Sequence, residues 1–68
     1  MNNQFTDLFR LLIDLNNDTS IDKSFKREIE RNIYFVKQII DDPEKYAKKK
    51  KNIFLRVITL VINILSPP

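Results

Sequence analysis

The stretch KKKKNIFLRVITLVINILSPP, residues 48–68, sets four lysines directly against a nearly unbroken apolar run and closes on two prolines. Ile and Val are frequent after residue 53, so a strand has to be weighed for IFLRVITLVINIL. The polar positions decide against it. Asn52, Arg56, Thr59 and Asn63 follow one another at intervals of four, three and four, which is the helical period and not the alternation of a strand. Lys45, Lys48 and Lys49 extend the same stripe backwards. The helix should end before Pro67, because a residue that precedes proline is pushed out of helical geometry.

Working upstream, DDPE at 41–44 marks the start of this element: Asp42 can cap, Pro43 suits the first helical position, and Glu44 favours the positive end of the helix dipole. The expected third helix therefore covers about residues 43–65. A second runs from about 21 to 40, with Phe25, Ile29, Ile33, Val36 and Ile40 on one face and Lys26, Arg27, Glu30, Arg31 and Lys37 largely on the other. Thr19 followed by Asp22 reads as an acidic variant of the capping box at its start. The first helix, about 3–16, carries Phe5, Leu8, Phe9, Leu12 and Leu15 at helical spacing and stops in NNDTS, where Asn and Asp favour turns and caps. The pattern predicts an all-α chain, a single domain over residues 1–68, folded as a small antiparallel three-helix bundle. Its expected core is Phe9, Leu12, Phe25, Ile29, Val36, Val57 and Val61.

Composition bounds the chemistry. A chain of 68 residues buries only ~60% of the surface its unfolded form exposes, so its stability margin is thin. It has no cysteine, histidine or glycine, which removes disulfides, thiolate or imidazole metal sites and glycine-rich phosphate cradles from consideration. The serines lack a histidine base, and the neighbouring carboxylates Asp41 with Asp42 and Glu28 with Glu30 fit helix caps and surfaces. Tyr34 and Tyr46 fit packing positions with a polar tip. The sequence thus predicts a non-enzyme with no cofactor and no metal. MNNQFTDLF has no basic segment followed by an apolar one, so no signal peptide is expected and the cytoplasm is the predicted location.

Charge is divided along the chain. Residues 1–44 carry six basic groups against all nine acids, a net −3, whereas residues 45–68 carry six basic groups and no acid, a net +6. The cationic last third points to an anionic partner, a membrane surface or plain solubility. Spanning a bilayer takes roughly 20 apolar residues, and Ile53 to Leu65 is a run of thirteen residues, three of them polar. Burying Arg56 in a span would cost ~2.5–3.5 kcal/mol. Lying at the inner face of the membrane is easier, with lysines on anionic headgroups and an apolar face at the acyl boundary. Lys48 to Lys51 and Arg56 could neutralise phosphates, but four consecutive residues point around the whole helix and form no groove-facing edge, which argues against a nucleic-acid partner.

The third helix has more apolar surface than two neighbouring helices can cover. Val57, Val61, Phe54 and Ile64 can face them, but Leu55, Ile58 and Ile62 on one flank, or Ile53 and Leu60 on the other, should stay exposed. An exposed apolar patch beside a positive segment marks a contact site. The candidate partner-binding residues are Lys48, Lys49, Lys50, Lys51, Leu55, Arg56, Ile58 and Ile62. Another copy of the chain through helix three, a different protein, or a peripheral membrane contact are the partners this surface would suit.

In LIDLNNDTSIDK, residues 12–23, the residues Asn17, Asp18, Ser20, Ile21 and Lys23 form a turn that resembles the one in bacteriocin immunity proteins of the enterocin A immunity type, which act against pediocin-like bacteriocins. The proline after the second helix and LRVI in the third are similar as well. The resemblance covers about residues 5–64. It implies a cytosolic protein that acts by binding the bacteriocin-occupied mannose phosphotransferase permease and blocking the lethal pore, with specificity towards the C-terminal half. It also implies a short form, because the longer relatives are four-helix bundles and this sequence lacks the fourth helix. The competing expectation is a small phage or plasmid helical protein that dimerises or that binds and inhibits a host protein.

Overall fold

The structure is a computed structural model that describes residues 4–66. Three α-helices make up most of it: α1 spans Gln4–Asn17, α2 spans Lys26–Asp41 and α3 spans Lys50–Leu65, and no strand occurs among the described residues. The all-α three-helix bundle expected from the periodicity is the fold observed. Residue 3, the expected start of the first helix, and Pro67 lie outside the described residues.

Each helix buries a stripe. Phe5, Leu8, Leu12 and Leu15 of α1 face Ile29, Asn32, Val36 and Ile39 of α2, and Ile53, Val57 and Leu60 of α3 complete the interior. Of the expected core, Leu12, Ile29, Val36 and Val57 are buried, while Phe9, Phe25 and Val61 are only half-buried around it. The correction on α3 is a rotation. Ile53 and Leu60 go inside and Val61 moves to the margin, so the helix turns its buried face partly towards the side where its Arg56 guanidinium lies 5.9 Å from the centre of the Phe35 ring of α2. On the other side, Phe54 meets Phe5 of α1 edge-on at 6.3 Å.

The two connections are more structured than capped helix starts. Asp18 Oδ1 accepts from the Ser20 N–H at 2.9 Å and from the Ser20 hydroxyl at 2.7 Å. Asp22 Oδ1 accepts from the Ser24 N–H at 2.9 Å. Asp22 is therefore itself the cap of a single 3-10 turn, Lys23–Phe25, and not the third residue of a box opened by Thr19. The α-geometry of α2 begins at Lys26, later than the expected residue 21.

The start of α3 is displaced in the same way, from the expected residue 43 to Lys50. Asp42 does cap: its Oδ1 accepts from the Lys45 N–H at 3.1 Å, and the Tyr46 N–H reaches the Asp42 carbonyl at 3.3 Å. That turn is not propagated. Tyr46 has φ −103° and ψ 17°, in the bridge region outside helical geometry, and its half-buried ring packs against the core. A 3-10 turn, Ala47–Lys49, then leads into α3. At the far end Ser66 is extended, with φ −70° and ψ 136°, as a residue before proline should be, and its hydroxyl donates to the Ile62 carbonyl at 2.6 Å.

Candidate binding surface

The lysine run and the apolar flank sit differently from one another. Because Lys48 and Lys49 belong to the 3-10 turn and Lys50 and Lys51 to the first turn of α3, their side chains fan out from the end of the bundle. Lys48 and Lys51 are exposed, Lys50 is half-buried, and Lys49 Nζ lies 5.8 Å from the centre of the Tyr46 ring, which also has Lys45 Nζ at 5.5 Å. A ring between two ammonium groups draws them by its quadrupole, an interaction worth ~0.5–1 kcal/mol each at exposed sites. The exposed carboxylates Asp41, Asp42 and Glu44 precede these lysines, so the end of the bundle is mixed in charge.

The flank of α3 is uniform by comparison. Leu55 is 52% exposed, Ile62 58% and Leu65 70%, and Ile58 is half-buried between them. These four lie three, four and three residues apart and form one stripe along the helix. Leu65 continues the flank without having been singled out in the sequence, although its spacing from Ile58 and Ile62 gave it away. No helix is long and apolar enough to cross a membrane among the described residues.

Between α2 and α3 runs an open groove of about 530 Å³, bordered by Asn52, Leu55, Arg56, Thr59 and Asn63 from α3 and by Phe25, Glu28 and Asn32 from α2. Asn32 is the unexpected member. It is 1% exposed, its Nδ2 donates to the Glu28 carbonyl at 2.8 Å, and its Oδ1 has no hydrogen-bond partner among the described residues. Its sequence signal was its phase: it falls between Ile29 and Val36 at three and four residues, on the buried stripe itself.

The turn that carries the sequence resemblance is also well ordered in its hydrogen bonds. The Asp18 carboxyl is held below its ordinary value by the Ser20 hydroxyl and then the Ser20 N–H, and the Asp22 carboxyl is held down chiefly by the Ser24 N–H. Both carboxylates are used in shaping the turn. Among the described residues no group of three or more carboxylates, histidines or cysteines could hold a metal ion. What the surface offers chemically is apolar contact, amide and hydroxyl hydrogen bonding and positive charge, the means of binding. No family model, curated protein or solved structure matches this chain.

Proposed function

We propose that this chain acts by binding, as a bacteriocin immunity protein that stays in the cytoplasm or at the inner face of the membrane and protects its cell from a pore-forming bacteriocin at the permease the toxin occupies. The observation that carries the reading is the exposure of Leu55 and Ile62 on a helix whose opposite face completes the core. A small chain that leaves such side chains in water has a surface suited to a partner. The turn at Asn17, Asp18, Ser20, Ile21 and Lys23 supports the choice of partner through its resemblance to immunity proteins. Lys48, Lys51 and Arg56 suit a target at the cytoplasmic face, where anionic lipids attract basic groups. In this reading Leu55, Ile58 and Ile62 make the contact, and the lysines assist the encounter.

The test is protection. The chain is expressed in a strain sensitive to the bacteriocin encoded beside its gene, and survival is scored on that bacteriocin. Protection supports the reading. Full sensitivity, or a gene neighbourhood without a bacteriocin, contradicts it.

A further inference from the structure

The exposed stripe of α3 has the spacing of a coiled-coil seam. Leu55, Ile58, Ile62 and Leu65 fall at intervals of three, four and three, which are successive a and d positions of two heptads. A stripe confined to a and d is the narrow kind that one partner helix covers, whereas a helix lying in a lipid interface presents a broader apolar face. The residues beside the seam on its outer side, Asn52 and Thr59, are exposed and uncharged, so they oppose no neighbour. For a lipid surface the charges are also misplaced: the lysines gather at one end, next to Asp41, Asp42 and Glu44, and Arg56 alone adds a charge between Leu55 and Leu65.

We infer that this stripe pairs with the same stripe of a second copy, the two α3 helices running antiparallel. The seam is self-complementary in that orientation, because Leu55 meets Leu65 of the second copy and Ile58 meets its Ile62, closing four apolar layers in two symmetry-related pairs. Charge selects the direction. A parallel pair would lay the two lysine runs side by side, while the antiparallel pair places the two Lys51 residues 18 residues apart along the axis, about 27 Å at 1.5 Å per residue. That is beyond the screening length of about 8 Å at physiological ionic strength. Two heptads make a small interface, so the dimer belongs to the weak, concentration-dependent class. The pairing is independent of the immunity reading; where both hold, the seam opens before it meets a target.

Sedimentation velocity of the purified chain from about 10 μM to about 1 mM, the range of weak affinities, is expected to shift from monomer to dimer. Ile62→Glu and Leu65→Lys, both on exposed positions, should keep their helical circular dichroism and remain monomeric throughout. The absence of cysteine allows the direction to be read with single substitutions. Thr59→Cys lies near the two-fold axis of an antiparallel pair, where the positions following each d residue face each other, and should form a disulfide-linked dimer on mild oxidation. Lys51→Cys should not. A wild type that stays monomeric over the whole range overturns the inference, as does a monomer that instead co-sediments with anionic phosphatidylglycerol vesicles. A dimer that cross-links through Lys51→Cys and not through Thr59→Cys overturns the orientation.

Discussion

The rings of Phe5 and Phe54 meet edge-on, with centroids 6.3 Å apart and planes at 81°, and so join the first turn of α1 to the first turns of α3. The pair bridges the two helices that are not consecutive in the chain. Phe5 is 6% exposed, so its loss both removes buried apolar surface and opens the bundle at that end.

Phe5→Ala should cost ~3–5 kcal/mol. A chain of this length has a total stability of roughly 3–10 kcal/mol at ~0.05–0.15 kcal/mol per residue, so the variant should be largely unfolded or melt far below the wild type by circular dichroism. Ile29→Ala, at a position 1% exposed, should behave alike, with a loss of ~2–5 kcal/mol. An unchanged midpoint for either would remove that residue from the core.

Asn32→Leu should stabilise the chain. A buried polar atom left without a partner costs ~1–3 kcal/mol, and a leucine, branched at the same carbon, has no such atom. The Glu28 carbonyl that Asn32 holds lies within the helical ladder of α2, so it is not stranded by the change. In a domain of this size ~1 kcal/mol raises the thermal midpoint by ~4–8 °C. A fall in midpoint would show that Asn32 is a structural requirement and not a cost.

Acid should weaken the first turn. Asp18 and Asp22 both have folded-state values below the ordinary 3.8, so the stabilisation they give is present above that value and is lost as the pH falls through their depressed folded values. Urea midpoints measured from neutral pH down to about pH 3, below the ordinary carboxylate range, should drop less in Asp18→Ala,Asp22→Ala than in the wild type. An equal drop would place the acid sensitivity elsewhere in the chain.

The helices were legible in the sequence because period and punctuation agreed. The spacing of Asn52, Arg56, Thr59 and Asn63 was enough to exclude a strand, and Ser66 before proline was enough to end α3. The starts of α2 and α3 were less legible. Asp22 and Asp42 announce turns, but whether a turn propagates as α-helix depends on tertiary contacts such as the seating of Tyr46, which no local rule contains. The rotation of α3 that buries Ile53 and Leu60 was hidden for a related reason. A helix apolar around most of its circumference states that it is covered on several sides and leaves the assignment of each side to its neighbours. Asn32 shares the phase of Ile29 and Val36, but an amide side chain carries no apolar signal of its own to mark it as buried.

The central claim is that α3 completes the fold with one face and binds with another, and paired variants on the two faces test it most directly. Leu55→Ser and Ile62→Ser are expressed beside the wild type in the bacteriocin-sensitive strain, and the purified proteins are melted in parallel. The account predicts helical circular dichroism and midpoints close to wild type for both variants, with protection lost. Protection equal to wild type in both variants, at equal expression, would contradict it, because the exposed flank would then not be the surface that binds.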